Sequence, residues 1–541
     1  MTREFRLVRV WPWLAAAATG VLLTLCYAPW NLGSLSWIAL TPLICAVWFS
    51  PKWSRREPLR HALLGYVAGL IFFTCVFYWL GALGTLFEQP WLHGLPLLVA
   101  LYLGMYVAFW AWFIGALVAQ PLAAGANASP FLSSRRNLLV AGLGACAWVT
   151  HEWVRGWLFS GFGWNDLGVA LHRQLAMIQI VDITGVAGLS FLITFCNLMA
   201  VILVRRIVAE LGPVFLKRIR WEFSLTVALV VFVFAYGVRQ LMQRPKHTEQ
   251  LRVAAVQPNI PQEEKFTFAF EDKILAELGG LTELAATTQP HLLLWPEAAT
   301  PRGMFADEGN YRFVTQLAAR GDFGMLIGSA DFDAERSEHL NSALLLTRRG
   351  QEIQTYRKMH LVPFGEYMPL RKSFPLFAMI AGELVPEDFG VGRDFTILNL
   401  PAPAMRLAPL ICFEDTLGNL TRRFVGKGAQ ILVNITNDGW FLETAAAEQH
   451  LANALFRAVE NRRPLVRCAN TGVTCAVTPF GRVERWLEPF QRGFVTREVE
   501  VQMDAPLTFY TRYGNWFAHV AAGVTAVGVI ARLRRARRAV S

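Results

Sequence analysis

Charge is scarce in this chain of 541 residues: Asp, Glu, Lys and Arg fill 17% of positions, against 54% hydrophobic. Soluble domains carry about 25% charged residues, so an ordinary water-soluble protein is excluded. Cysteine is sparse, with eight residues. No CxxC spacing and no His/Cys cluster is present, which argues against a zinc site and gives no metal or cofactor to expect. Five of the cysteines (Cys26, Cys45, Cys75, Cys146 and Cys196) fall in apolar runs, and only Cys412, Cys468 and Cys475 lie in the long polar segment. Cys468 and Cys475 could pair, but both belong to a strand pattern that favours core packing. Internal repeats and low-complexity linkers are absent, so the long polar segment is expected to join its flanking apolar runs closely.

Long apolar runs are what the chain has instead. About eight come near or above the ~18 residues that span a bilayer: roughly Trp13–Ala28, Leu35–Phe49, Leu63–Leu83, Leu95–Val118, Leu138–Phe159, Ile180–Val204, Phe223–Leu241 and Trp516–Ala531. Trp11, Trp30, Trp53, Trp91 and Trp516 stand where such spans should meet the interface.

A net charge of +11 would suit nucleic acid, but its distribution argues otherwise. Basic residues gather before the first run (Arg3, Arg6, Arg9), after the second (Lys52, Arg55, Arg56, Arg60) and after the fourth (Arg135, Arg136). They gather again after the sixth (Arg205, Arg206, Lys217, Arg218, Arg220) and from Arg532 to Arg538 after the last. The intervening short loops hold almost none, which is the positive-inside pattern. Both termini are thus expected in the cytoplasm, and the long segment between the seventh and eighth runs on the outer face. Leu25 before Cys26 is too bulky for a cleavage site, so the first run reads as an uncleaved anchor.

From about Leu251 to Gln502 the composition becomes that of a globular α/β domain. Strands are predicted at Leu251–Gln257, Leu292–Trp295, Met325–Ser329, Ser342–Thr347, Gln354–Tyr356, Leu407–Cys412, Ile431–Thr436, Leu465–Ala469 and Thr474–Thr478. Helices are predicted at Asp272–Thr288, Asn310–Arg320, Leu417–Gly426 and Ala445–Arg462. This alternation points to a layered α/β sandwich. The expected organisation is a transmembrane domain over 1–245 with about seven helices, an external domain over 246–505, and a last helix with a basic tail over 506–541.

Three strand ends in the external segment carry reactive side chains. Glu297 follows the apolar run closed by Trp295-Pro296, Lys358 follows Tyr356-Arg357, and Cys412 closes Leu407–Ile411. Singly, each has a bland reading: a solvated turn carboxylate, a solvated lysine, an inert core thiol. Jointly they are a proton acceptor, a cation and a soft nucleophile, the set needed for acyl transfer through a thioester. Glu366, eight residues beyond Lys358, could fold back onto its ammonium. Cys412 precedes a predicted helix whose N-terminus would favour a thiolate. The apolar stretch Tyr367–Leu370 and Phe374–Ile380 reads as a loop that dips into the interface, and Glu152 with Arg155 as an ion pair inside an apolar run.

With these residues in hand, the segment resembles the nitrilase, or carbon–nitrogen hydrolase, superfamily, whose catalytic set is Glu, Lys and Cys in that order. The apolar runs narrow the resemblance to the bacterial apolipoprotein N-acyltransferase family. It extends through Glu152–Trp157 with Phe159–Phe162, Thr184–Ser190, Gln257–Gln262, Leu361–Tyr367, Asn437–Phe441, Gln449-His450 and Arg463–Leu465 with Ala469–Thr474. The resemblance implies a multi-pass α-helical membrane protein carrying an external nitrilase-like α-β-β-α sandwich. It implies Cys412 as nucleophile, Glu297 as general base and acid, and Lys358 as oxyanion stabiliser together with the Phe413 backbone N–H. Glu366 and Glu414 would orient Lys358 and shape the pocket, while Phe266, Trp295, Tyr367, Trp440 and Phe441 are candidate substrate-binding residues. Phe266 and Phe413 depart from the expected tryptophan and tyrosine. The implied reaction moves a fatty acyl chain from a phospholipid, phosphatidylethanolamine being the expected donor, to the N-terminal amine of a diacylglyceryl-cysteine lipoprotein. The implied setting is a bacterial inner membrane with the catalytic domain on the periplasmic face. A membrane-tethered amidase and a non-catalytic scaffold are the rival readings.

Overall fold

A computed structural model describes residues 3–51, 56–118, 133–209, 221–265, 267–368, 371 and 387–538. The chain divides into two compact units, Met1–Met242 with Asn515–Ser541, and Gln243–Gly514.

The first unit is helical. Among its described residues, four helical stretches are long and apolar enough to cross a membrane: Glu57–Val76, Pro90–Leu117, Val186–Val208 and Trp221–Leu241. Arg9–Leu25, Gly33–Phe49, Leu175–Thr184 and Trp516–Ala531 are shorter apolar stretches. The fifth expected run lies in the helix Ser134–Arg155, which buries Asn137, His151, Glu152 and Arg155. The sixth is broken at Gly185, whose φ of 63° ends a short turn before a new helix starts at Val186. Trp221–Leu241 leaves Val231, Phe232 and Phe234 more than half exposed. Apolar side chains left open in a row fit a membrane-embedded part, because water would penalise them. Helix Glu57–Val76 meets helix Leu95–Val118 across Gly65 and Gly69. A Cβ on Gly65 would stand 2.5 Å from that of Ala111, and one on Gly69 2.9 Å from the Gly104 backbone. Small residues at this spacing let two backbones pack closely where lipid supplies no hydrophobic drive.

The second unit contains two six-stranded sheets. Its strands are β1 (Thr248–Gln257), β2 (Leu292–Leu294), β3 (Gly324–Asp333), β4 (Glu338–Thr347), β5 (Glu352–Arg357), β6 (Leu398–Pro401), β7 (Ala404–Ile411), β8 (Ile431–Thr436), β9 (Leu465–Ala469), β10 (Thr474–Val477), β11 (Val483–Leu487) and β12 (Gly493–Gln502). One sheet runs β12-β1-β2-β3-β4-β5, the other β11-β10-β9-β8-β7-β6. Parallel strands lie at the centre of each, β1-β2-β3 and β7-β8-β9, with antiparallel strands outside. Central parallel strands are covered on both faces, which explains their unbroken apolar sequences. Helices Glu271–Ala286 and Glu308–Ala318 cover the first sheet through Ile274, Leu278, Val314 and Leu317, which pack on Val256, Leu293, Met325 and Leu344. Helices Gly418–Gly426 and Ala446–Asn461 accompany the second sheet, the latter almost wholly buried. The sheets face each other: the Cys468 thiol on β9 donates to the Val256 carbonyl of β1 at 3.3 Å. Cys468 and Cys475 are both buried and free, as strand residues packed in the core.

Most elements of this unit follow the sequence pattern, but three strands do not. β6 is four residues long and ends in Pro401. β11 is half exposed, and β12 carries exposed Arg497, Glu498 and Glu500. Edge and charged strands give weak alternation, so β12 shows itself only through its long antiparallel pairing with β1.

Candidate active site

Glu297, Lys358 and Cys412 each follow the carboxyl end of a strand, β2, β5 and β7 respectively. The Glu297 turn rests on β3: Gly328 N–H donates to the Pro296 carbonyl, and Ala299 N–H to the Gly328 carbonyl at 2.9 Å. A Cβ at Gly328 would stand 2.6 Å from the Glu297 backbone, so only glycine lets the turn approach. Lys358 continues the β5–β4 pairing, its N–H donating to the Asn341 carbonyl at 2.8 Å. Cys412 itself has φ 53°, and Ala298 beside Glu297 and Phe364 near Glu366 have φ 44° and 63°. Left-handed backbone at non-glycine residues is strained; such residues occur elsewhere in the chain too, and three of them lie here. At Cys412 the conformation turns the chain sharply from β7 into a single 3-10 turn, Cys412–Thr416. The helix Gly418–Gly426 begins only after that turn. The expected helix N-terminus at the sulfur is therefore not what the fold provides.

The side chains converge. Lys358 is 1% exposed. Its ammonium donates to Glu366 Oε1 at 2.8 Å and reaches Glu297 Oε1 at 3.4 Å. Burial opposes its charge, but Glu366, Glu297 and Cys412 outweigh burial and hold it well above the ordinary lysine range. Glu297 also accepts from Asn341 Nδ2 at 2.8 Å and, through Oε2, from the Asn437 backbone N–H at 3.1 Å. The Cys412 thiol is pushed well up, first by burial and then by the Glu297 charge, while Lys358 and the Thr436 hydroxyl pull the other way. A thiol held in that balance keeps its proton until a base takes it, and Glu297 is the carboxylate it senses most strongly.

Glu414 is fully buried and ties two corners together. It accepts from the Tyr356 hydroxyl at 2.8 Å, from Met359 N–H at 2.8 Å and from Ile411 N–H at 2.9 Å. Burial raises its pKa to about 7 against these bonds. It anchors the segment after Lys358 to the turn at Cys412. Glu366 does the same locally, its second oxygen accepting from Val362 N–H at 2.8 Å. Phe413 is buried, its ring 5.8 Å from that of His360. The Tyr367 carbonyl accepts from Phe364 N–H at 2.8 Å and closes the loop that delivers Glu366. Trp440 and Phe441 are half-buried in the turn Asp438–Phe441 after β8. Trp295 lies elsewhere: it is fully buried in the core of the first sheet, its indole N–H bonded to Thr282 at 2.8 Å. Phe266 and the apolar stretch Phe374–Ile380 lie outside the described residues.

Sequence reasoning gives no role to several polar residues that the fold brings here. Asn341 on β4 bridges Glu297 and Glu366, its Nδ2 3.0 Å from Glu366 Oε1. The buried ammonium of Lys265 donates to the Glu297 backbone carbonyl at 2.9 Å, and burial lowers its pKa to about 8. Behind Cys412, His450 binds Asp438 at 2.7 Å and Asp415 at 2.9 Å, and Arg467 pairs with both carboxylates. Arg467, set inside the otherwise apolar β9, is marked by that local signal, whereas Asn341 stands between His339 and Ser342 in β4 and nothing nearby singles it out. In the helical unit, Arg155 pairs with Asp166 at 2.6 Å rather than with Glu152, which accepts from Trp148 and the Leu167 N–H. Among the described residues no group of three or more His, Cys, Asp or Glu side chains could hold a metal ion.

Asn341→Leu is expected to leave Glu297 and Glu366 facing each other across an apolar side chain. A reaction at Cys412 that depends on the alignment of Glu297 and Lys358 should slow about 10- to 100-fold with the fold retained, the scale set by reacting groups drifting up to about 1 Å. Turnover of the variant, measured beside its thermal melt, reads this loss.

Burial opposes a charge on His450, but Asp415 and Asp438 overcome burial and raise its pKa from 6.5 to about 9. Its stabilising contribution is therefore complete below pH 6.5 and is lost as pH climbs toward 9. Glu414, held protonated to about pH 7, adds to the fall only below that pH, and Lys265 opposes it only above about pH 8. Between pH 7 and 8, tryptophan-fluorescence melts should show stability falling by up to about 1.4 kcal/mol per pH unit, more steeply than in His450→Gln. Parallel profiles for the two proteins would show that His450 is not charged in the fold.

Residues 252–505 match the carbon–nitrogen hydrolase family model, and residues 19–199 match the model for the apolipoprotein N-acyltransferase N-terminal domain. The apolipoprotein N-acyltransferase of Geobacter metallireducens is 35% identical over 97% of this chain and 96% of its own length. The chain belongs to the apolipoprotein N-acyltransferase family. The member from Thermotoga maritima is 31% identical over 93% of this chain and 91% of its own, and that from Methylococcus capsulatus 30% identical over 97% of each. Among solved structures, Saccharomyces cerevisiae Nit3 of the nitrilase superfamily matches at 17% identity and TM-score 0.36, over 46% of this chain and 90% of its own. Family membership accounts for both parts of the molecule, a carbon–nitrogen hydrolase domain of two sheets and a set of apolar helices.

Proposed function

We propose that this protein is an apolipoprotein N-acyltransferase that works through an acyl thioester on Cys412. The observation that carries the reading is the convergence of the buried Lys358 and Glu297 with Glu366, beside the Cys412 turn that Glu414 ties to the segment after Lys358. Cys412 attacks the ester carbonyl of a phospholipid as its proton passes to Glu297. The C–O bond breaks, and Glu297 returns the proton to the departing lysophospholipid oxygen. Lys358 and the Phe413 backbone N–H stabilise the oxyanion that develops in between. The α-amine of a diacylglyceryl-cysteine then attacks the thioester, losing a proton to Glu297. The C–S bond breaks, and the thiol is restored.

Water must lose to the amine, and the burial of Glu297 and Lys358 supports a site that excludes it. The apolar helices associate the enzyme with a membrane, where both substrates reside. About eight spans, cytoplasmic termini and a periplasmic catalytic domain complete the proposed arrangement, supported by the basic clusters on alternate connections. Phosphatidylethanolamine is the proposed donor. Two substrates visiting one site in turn should give parallel double-reciprocal plots when donor and diacylglyceryl peptide are varied together. Intersecting lines, or release of free fatty acid as the main product, would point to direct transfer or to an amidase-like hydrolase.

A further inference from the structure

Both ring nitrogens of His450 face carboxylates, Asp438 at 2.7 Å and Asp415 at 2.9 Å, so each nitrogen must carry a proton to donate. His450 and both aspartates are buried. The aspartates belong to different loops. Asp415 lies in the turn Cys412–Thr416, and Asp438 begins the turn after β8, next to Asn437. Asn437 N–H donates to Glu297 Oε2 at 3.1 Å. Arg467, fully buried on β9, pairs with Asp415 and reaches Asp438 at 3.6 Å. The charged groups facing His450 are thus Asp415, Asp438 and Arg467, and with His450 they balance anion against cation.

We propose that His450 is a positioning residue: a charged strut that locks the nucleophile's turn to the loop holding the general base, and keeps the anions behind Cys412 neutralised. The inference rests on Cys412 acting as nucleophile, and it assigns a role to a side chain placed behind the reacting groups. Its two effects are separable. Loss of the strut loosens the Cys412–Glu297 alignment, which slows thioester formation. Loss of its charge leaves Asp438 less compensated beside the thiol, and Asp438 already raises that thiol's pKa, after burial and Glu297.

The test uses the full-length protein in detergent and follows two readouts: acyl-enzyme formation from phosphatidylethanolamine, and the pH profile of Cys412 alkylation by iodoacetamide. His450→Gln is expected to slow acylation about 10- to 100-fold through kcat with KM unchanged, the scale of a misplacement of up to about 1 Å between reacting groups. It should also move the alkylation profile to higher pH. In the charge-balanced variant Asp438→Asn/His450→Gln the profile should return toward wild type while acylation stays slow. His450→Gln with wild-type acylation and an unmoved profile, lowered only in Tm, would overturn the proposal. If His450→Gln does not fold, the charge-balanced variant decides alone, and wild-type acylation by it would overturn the proposal. Cys412→Ser, run alongside, separates the outcomes: an acyl adduct on that variant at any residue other than 412 would defeat the nucleophile assignment, whereas the alkylation profiles need no acyl substrate.

Discussion

Cys412→Ala is expected to abolish acyl-enzyme formation and lower lipoprotein N-acylation by at least about 10⁴-fold, the scale of losing a covalent nucleophile. The residue sits at φ 53°, a conformation that strains any residue with a Cβ, so the turn itself must be held by its neighbours in every variant. Cys412→Ser is the cleaner test, because it keeps a side chain of nearly the same size in that turn. It should fold as the wild type does and still transfer almost no acyl chain, since a buried serine hydroxyl is a far weaker nucleophile than the thiol. Rates of N-acylation on a diacylglyceryl peptide, beside thermal melts, decide the matter. A serine variant that transfers at a substantial fraction of the wild-type rate would remove the thioester from the account.

Glu297→Gln is expected to be nearly as damaging, about 10³- to 10⁴-fold, because in the proposed mechanism both half-reactions hand a proton to this one carboxylate. The substitution is nearly isosteric: with its amide oxygen in the Oε1 position glutamine still accepts from Asn341 and Lys358, and only the Asn437 N–H loses its acceptor, facing the new NH2. Its signature on the thiol is opposite in sign to its effect on turnover. After burial, Glu297 is the main group that raises the Cys412 pKa, so removing its charge should shift the alkylation profile to lower pH. A more reactive thiol in a nearly inactive enzyme is the expected pairing. A profile unchanged by Glu297→Gln would mean that the two groups do not sense each other's charge.

The three candidate positions are legible in the sequence because each follows an apolar strand, and strand ends are where a parallel α/β sheet presents function. Trp295-Pro296 marks the stop before Glu297 as clearly as Leu407–Ile411 marks the approach to Cys412. Which polar residues cross from other strands to meet them is a property of sheet order, and no local pattern encodes it. Asn341 reaches Glu297 because β4 lies beside β3, and His450 reaches Asp415 because the helix Ala446–Asn461 packs against the turn after β7. The helical unit shows the same limit. Its apolar runs announce helices, but the break at Gly185 and the pairing of Arg155 with Asp166 depend on how the helices pack. Trp295 illustrates the converse: an aromatic residue next to the site in sequence can belong to the core in space.

Intact-protein mass spectrometry after mixing the purified enzyme with phosphatidylethanolamine bears most directly on the thioester. The expected result is one added acyl chain, mapped to Cys412, labile to hydroxylamine and passed on to a diacylglyceryl peptide. An adduct on another residue, or acylated peptide formed while Cys412 stays unmodified and dispensable, would contradict it.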